Sequence, residues 1–286
     1  MSHPSLLALL GHPVAHSWSP DLHRAAMGRL GRAGAYVACD VPPARLSEAI
    51  RGLWVLGARG VNLTMPHKVA ALDLAVEVTP EARILGAANT LIRGDDGWLA
   101  HNTDLFGYQV MLADATPERA LILGAGGGAR AVAHALSLVG CRLTVSVREP
   151  AAGQELLDAL GIEGLVRPWH ERHLGLEGMD LVVNETPIGL GLPGTPPGEL
   201  GRRADREGPT PLEPEAIGRL RAGAFVHDLV YARGETPFVH WARLCGLEAR
   251  DGRAMLAGQA AAAQAAWWGG PMPLAEYREA LDALLV

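Results

Sequence analysis

The sequence predicts an α/β protein of two domains, and three observations carry that prediction. Short apolar runs alternate with stretches of helical periodicity along most of the 286 residues, the pattern that strand–helix units leave in a sequence. One apolar run, residues 120–123, passes directly into Gly124-Ala125-Gly126-Gly127-Gly128-Ala129 and then into a helical stretch. Composition changes between Asp114 and Glu118, and the chain is long enough to bury two cores of ordinary size.

In chain order, residues 6–10 read as a buried strand that stops at Gly11. Residues 11–20 form a loop held by Pro13 and Pro20, and a helix follows from Asp21 with Leu22, Ala25, Ala26 and Leu30 on one face. Residues 35–41 read as a second strand, 46–56 as a second helix and 60–64 as a third strand, which Pro66 ends. Proline suits the first turn of a helix, so residues 68–76 are expected to be helical, with Lys68 in the first turn after a strand. The carboxyl end of a parallel strand is where open α/β sheets place ligands. Residues 87–93 and 97–101 read as two strands joined by the turn at 94–97, and residues 105–112 as a helix.

Beyond the composition change, residues 120–123 read as a strand, 130–139 as a helix and 143–147 as the next strand. Between the first two, Gly124, Ala125, Gly126, Gly127, Gly128 and Ala129 match the pattern G-x-G-x-x-G/A in the strand–turn–helix setting that makes it informative. Glycines there permit a tight turn and let backbone N–H groups approach a diphosphate at a helix N-terminus. The expectation is a Rossmann-type dinucleotide-binding domain. Residues 180–184 and 224–231 read as further strands of its sheet, and residues 192–214, rich in Gly, Pro and charge, as a surface excursion. Residues 254–268 and 274–285 read as helices that return to close the first domain. The expected division is residues 1–104 with 253–286, and residues 105–252.

Bulk properties exclude several classes of protein. A hydrophobic content of 49% with 20% charged residues describes a globular chain rather than a disordered one. The net charge of −6 leaves no basic footprint for nucleic acid, and no basic run suggests a lipid surface. No stretch approaches the length of a membrane span, and the apolar run at 6–10 is too short for the core of a signal peptide. Cys39, Cys141 and Cys245 are far apart and odd in number, which argues for a reducing compartment. The expected location is the cytoplasm.

Among residues able to do chemistry, Lys68 stands out because every other basic residue is an arginine. A guanidinium stays protonated at any working pH, whereas an ammonium can give up and regain a proton. His12, His16 and His23 lie close together, but Pro13 and Pro20 break any helix that would align them, and they read as loop and helix-start residues. His170 and His173 are one residue too close for a metal pair on a helix face. No metal is expected. Ser17, Ser19, Asn62, Thr64, Lys68, Asn89 and Asp104 cluster at strand ends of the first half. Singly, each has a structural explanation as a cap, turn or strand end. Together they suit a pocket for a small polyhydroxylated acid, with one Lys–Asp pair to handle a proton.

The segments 11–23 (Gly-His-Pro-Val-Ala-His-Ser-Trp-Ser-Pro-Asp-Leu-His), 62–68 (Asn-Leu-Thr-Met-Pro-His-Lys), Ala88-Asn89-Thr90 and Asn102-Thr103-Asp104 resemble the substrate-domain motifs of shikimate dehydrogenases, in that family's order. Residues 124–129, Asp228-Leu229-Val230-Tyr231 with Thr236-Pro237, and Met255-Leu256-Ala257-Gly258-Gln259 extend the resemblance nearly end to end. It implies a reversible, NADPH-dependent reduction of 3-dehydroshikimate to shikimate by a monomer or homodimer. It implies that Ser17 and Ser19 hold the substrate carboxylate and that Thr64, Asn89, Asp104, Tyr231 and Gln259 contact ring hydroxyls. Lys68 and Asp104 are the implied catalytic pair, while Leu229 and Gly252 are implied to lie by the nicotinamide.

Three departures from the family pattern are visible. After the glycine loop the second strand ends Val147-Arg148-Glu149 in place of an Asn-Arg-Thr-like run. Arg148 suits the 2′-phosphate of NADP, whereas Glu149 is the kind of acid that hydrogen-bonds a free ribose and leaves NAD open. Glu185, in Asn184-Glu185-Thr186-Pro187, stands where the family usually has a small residue, and Ala100 replaces a common glycine. Two alternatives remain open at this level. One is a quinate or quinate/shikimate dehydrogenase using NAD, against which the paired serines lean. The other is a non-catalytic regulator that binds the same ligands, for which an intact Lys68–Asp104 pair would have no use.

Overall fold

The computed structural model describes residues 4–15, 17–190 and 208–285. The expected loop residue His16 and most of the expected excursion at 192–214 therefore lie outside the described residues. The chain divides into two compact units, one of residues 1–110 with 254–286 and the other of residues 111–253.

The first unit holds a six-stranded sheet in the order β2-β1-β3-β5-β6-β4, made of β1 (Ser5–Gly11), β2 (Gly34–Asp40), β3 (Gly60–Leu63), β4 (Glu77–Val78), β5 (Thr90–Arg93) and β6 (Trp98–His101). β1 runs parallel to both β2 and β3, whereas β5 is antiparallel to β3 and to β6. The helices between these strands are α1 (Ser19–Arg29), α2 (Leu46–Val55) and α3 (Pro80–Leu85), and α4 (Asp104–Leu112) leads into the second unit. That unit contributes α5 (Gly127–Leu138), α6 (Pro150–Leu160), α7 (Pro214–Ile217) and α8 (Pro237–Leu244). The chain then closes with α9 (Arg253–Trp268) and α10 (Leu274–Leu285).

Side chains alternate across β1. Leu7 and Leu9 face a cluster with Met27, Tyr36, Ala263 and Trp267, and Ala8 and Leu10 face another with Val61, Leu63, Leu91 and Trp98. The long helix α9 thus covers one face of a sheet laid down at the start of the chain.

Trp267 anchors that contact. Its indole N–H donates to the Leu91 carbonyl at 3.0 Å, and its ring lies over Gly60, where a Cβ would overlap the indole. His23, on α1, stacks on Tyr36 at 4.3 Å between ring centroids, and its Nδ1 meets the Tyr277 hydroxyl at 2.6 Å. Burial pushes the His23 imidazole down to about 3. It is therefore a neutral core residue in an aromatic cluster.

One expected element takes a different form. Residues 68–76 do not make an α-helix; the chain turns after β3 and forms a short 3-10 helix at Ala70–Leu74. A helix from Lys68 would need its carbonyl to accept from residue 72. That carbonyl instead accepts the Ala88 N–H at 2.7 Å, while Leu72 N–H reaches back only to Val69. The His67 ring adds a 2.8 Å bond to the Val41 carbonyl. The turn is thus stitched to two neighbouring segments and holds Lys68 beside Ala88, just before β5.

The second unit holds an all-parallel sheet in the order β12-β11-β10-β7-β8-β9. Its strands are β7 (Arg119–Leu123), β8 (Arg142–Val147), β9 (Gly164–Pro168), β10 (Leu181–Asn184), β11 (Phe225–Asp228) and β12 (Glu248–Asp251). Counted within the unit, this is the order 6-5-4-1-2-3 of a doubly wound dinucleotide-binding sheet, with its switch point between β7 and β10. Strands buried on both faces are near-continuous apolar runs, as in Ala120-Leu121-Ile122-Leu123 and Leu181-Val182-Val183. Helix α5 begins three residues earlier than its apolar periodicity predicts, so Gly127, Gly128 and Ala129 form its first turn. Among the described residues, no helix is long and apolar enough to cross a membrane.

Candidate active site

The ends of β3, β5 and β6 converge on the chemistry of the first unit. Asp104 opens α4, where its N–H has no helical carbonyl to bond and donates instead to the Asn102 side chain at 2.9 Å. Lys68 Nζ lies 2.6 Å from Asp104 Oδ2. The other carboxylate oxygen, Oδ1, accepts from Asn89 Nδ2 at 2.8 Å. The Asp104 side chain is 6% exposed and that of Lys68 19%, so the pair is mostly shielded from water while the ammonium keeps an opening.

Asn89 fixes the acid. Its amide nitrogen also donates to Thr103 Oγ1 at 3.0 Å, and its carbonyl accepts the Thr103 N–H at 2.8 Å and the Thr90 hydroxyl at 2.9 Å. Asn62 supports this group from behind. Its two amide hydrogens go to the main-chain carbonyl of Asn89 and to Thr90 Oγ1, and its oxygen accepts from the Tyr36 hydroxyl at 2.8 Å. With only 5% exposure, Asn62 spends its polar groups inside the protein. Thr90, Thr103 and Tyr36 join the site without being predicted from the sequence. Thr90 and Thr103 lie inside recognised motifs, but nothing in the sequence separates a hydroxyl that braces an amide from one that faces solvent.

The serines stand at a neighbouring strand end, in the loop after β1. Ser17 Oγ accepts the Ser19 N–H at 3.2 Å, and Ser19 is the first residue of α1. That loop is tied to the end of β3, since His12 N–H donates to the Met65 carbonyl and Thr64 packs its methyl against Gly11. Gln259 lies on α9, where Gly107 and Gly258 let α9 and α4 approach backbone to backbone, so Gln259 lies beside the helix that Asp104 opens. His12 pairs with Asp40 at 2.5 Å, and no group of three His, Cys, Asp or Glu side chains that could hold a metal occurs among the described residues.

In the second unit the other predicted residues follow the carboxyl ends of β7, β8, β11 and β12. Gly124 has φ 112°, a conformation that side chains resist. Gly126 caps α5 and Gly128 lies in its first turn, the end of a helix where N–H groups point outward along the axis. This arrangement fits the diphosphate of a dinucleotide. Arg148 and Glu149 are both exposed at the end of β8. Leu229 follows β11 and Gly252 follows β12; a Cβ on Gly252 would overlap the Leu229 carbonyl, which explains the glycine. Tyr231 is half-buried two residues after Leu229.

Asp228 holds these strand ends together. One carboxylate oxygen accepts from Asn184 at 2.8 Å and from the Val230 N–H at 3.2 Å; the other accepts from the Thr236 hydroxyl at 2.6 Å. Burial pushes its pKa up to about 7, against the pull of those three bonds and with a further push from Asp251. Between its ordinary 3.8 and about 7, the folded protein holds a proton here that the unfolded chain has released. The contribution of Asp228 to stability therefore falls as pH rises through that window and is constant above it. Asp228→Asn keeps the carbonyl acceptor and lets Thr236 accept instead of donate. The expected result is that wild type gains stability relative to the variant as pH falls from about 7 to about 4, by on the order of 1 kcal/mol per unit. Urea unfolding at several pH values measures this, and a difference independent of pH would contradict it.

Residues 9–91 match the family described as "Shikimate dehydrogenase substrate binding domain". A shikimate dehydrogenase (NADP(+)) of Moorella thermoacetica is 41% identical over 294 residues, covering 97% of this chain and 94% of that protein. Another, from Anaeromyxobacter sp. (strain K), is 39% identical over 287 residues, covering 98% and 96%. Among solved structures, the shikimate 5-dehydrogenase of Thermus thermophilus in complex with NADP(H) and shikimate is 34% identical, with a TM-score of 0.80 over 98% of this chain and 99% of that one.

Proposed function

Because this chain belongs to the shikimate dehydrogenase family, we propose that it catalyses the reversible, NADPH-dependent reduction of 3-dehydroshikimate to shikimate. The observation that carries the reading is the shielded Lys68–Asp104 pair, 2.6 Å apart and braced by Asn89. A ketone reduced by hydride needs a proton at the oxygen that becomes hydroxyl, and Lys68 is the one ammonium side chain in the sequence. NADPH, when bound, supplies the hydride. Asp104 aims Lys68 and accepts a ring hydroxyl; Asn89 keeps Asp104 aimed. Ser17 and Ser19 hold the carboxylate, with Thr64, Tyr231 and Gln259 on the remaining hydroxyls. Asn62 braces Asn89 and Thr90 rather than touching the substrate.

For the cofactor, residues 124–129 cradle the diphosphate, Arg148 pairs with the 2′-phosphate, and Leu229 and Gly252 border the nicotinamide. The domain of residues 1–104 with 253–286 would be the substrate domain and that of residues 105–252 the cofactor domain. Three free cysteines suit a cytoplasmic enzyme, and we place it there as a monomer or homodimer.

The test is reduction of NADP by shikimate, followed through the absorbance of the reduced nicotinamide, with NAD and quinate in parallel. Turnover is expected with shikimate and NADP. Turnover confined to quinate or to NAD would correct the substrate or the cofactor. Folded protein that binds both ligands without turnover would replace the enzyme by a regulator.

A further inference from the structure

Glu185 follows β10 at the switch point and does not point away from the glycine loop. Its carboxylate lies against the loop: Oε2 is 3.0 Å from where a Cβ on Gly126 would stand, and a Cβ on Gly128 would overlap Oε1. Its own carbonyl is 3.1 Å from the Cβ position of Gly124. Three loop glycines thus pack on one acidic residue, and the space that Gly126 and Gly128 leave by lacking side chains is filled by its carboxylate.

The electrostatics of this contact are those of a phosphate site. The outward N–H groups of the first helical turn and the helix dipole favour negative charge at this end of α5. A carboxylate satisfies that preference in part. A diphosphate seeks the same N–H groups, and two anions in one cradle repel. Rotation about the bonds of the Glu185 side chain would carry its carboxylate off the loop without moving the backbone.

We propose that Glu185 is an internal competitor for the cofactor's diphosphate, lying in the glycine cradle until the dinucleotide displaces it and thereby setting how tightly the cofactor binds. The proposal rests on the dinucleotide reading of this loop. It assigns to Glu185, which stands where the family usually has a small residue, an affinity-lowering role and no part in the chemistry at Lys68.

Calorimetric titration of NADP into wild type, Glu185→Ser and Glu185→Gln tests it. Glu185→Ser removes both the charge and the bulk, and its Kd for NADP is expected to fall by about tenfold, the scale of one lost charge contact at a helix end. Glu185→Gln keeps the bulk without the charge and is expected to fall in between. Adenosine 2′-monophosphate, which has no diphosphate, is expected to bind all three proteins equally, as is shikimate. A Kd for NADP that is unchanged or weaker in both variants would overturn the proposal. So would equal tightening of adenosine 2′-monophosphate, which would mark a general charge effect. If none of the three proteins bound NADP or NAD while all bound shikimate, the dinucleotide reading itself would fall and the proposal with it.

Discussion

Lys68→Ala is expected to lower kcat for shikimate oxidation by roughly a thousandfold, the middle of the range for a lost proton-transfer group. The NADP affinity should stay unchanged, because the glycine cradle belongs to the other unit. The carboxylate of Asp104 keeps its bond from Asn89, so the remaining acid stays in place and the loss reads as chemistry rather than collapse. Lys68→Arg is the sharper variant. It preserves the positive charge beside Asp104 but offers a guanidinium that does not part with a proton near neutral pH. It should therefore recover little of the rate, about tenfold over alanine at most. A Lys68→Ala enzyme with near-normal turnover would remove the assignment, and a Lys68→Arg enzyme of normal rate would reduce Lys68 to a charge.

Gly60→Ala is expected to carry the largest stability loss of any single methyl added to the first unit. A Cβ on residue 60 would overlap the Trp267 indole. That ring is 4% exposed, bonded to the Leu91 carbonyl and flanked by His23 and Tyr36. It has nowhere to move without breaking the bond or opening the aromatic cluster. Overpacking of this kind costs about 3 kcal/mol, and for a unit of this size the midpoint of thermal unfolding should fall by about 10 °C. Trp267→Leu alone should also destabilise, through a cavity and a lost hydrogen bond. The two together should cost less than their sum, because the smaller side chain leaves room for the added methyl. Strict additivity in thermal or urea unfolding would show that the two residues do not press on each other.

How much of this is legible in the sequence depends on how local the deciding interaction is. The strand–glycine–helix run at 120–139 is self-contained, so its apolar runs and glycines suffice, and α5 differs only by starting inside the glycines. The turn carrying Lys68 reads as helix and is not one. The decision there is made by a bond from Ala88, twenty residues on, which no periodicity within 68–76 contains. Asn89, Asp104 and Lys68 can be picked out as chemically able side chains. That Asn89 grips Asp104, and that Asn62 turns inward to Tyr36, depends on the antiparallel pairing of β5 with β3 and β6. Glu185 is visible as an unusual residue; its position over Gly126 and Gly128 follows from β10 lying beside β7, which sequence order conceals.

The cover that α9 gives to the first sheet has a consequence for the birth of the protein. Leu7, Leu9 and Tyr36 emerge from the ribosome early, yet Ala263 and Trp267, which complete their cluster, are made more than two hundred residues later. Throughout synthesis of the intervening unit, one greasy flank of the nascent sheet waits without its lid. Such a flank is what chaperones recognise and what drives premature clumping of unfinished chains. The sheet at the front of the molecule is thus finished last, and a message cut short before residue 254 yields a chain whose first-made strands lack Ala263 and Trp267 and keep Met27 of α1 on that face.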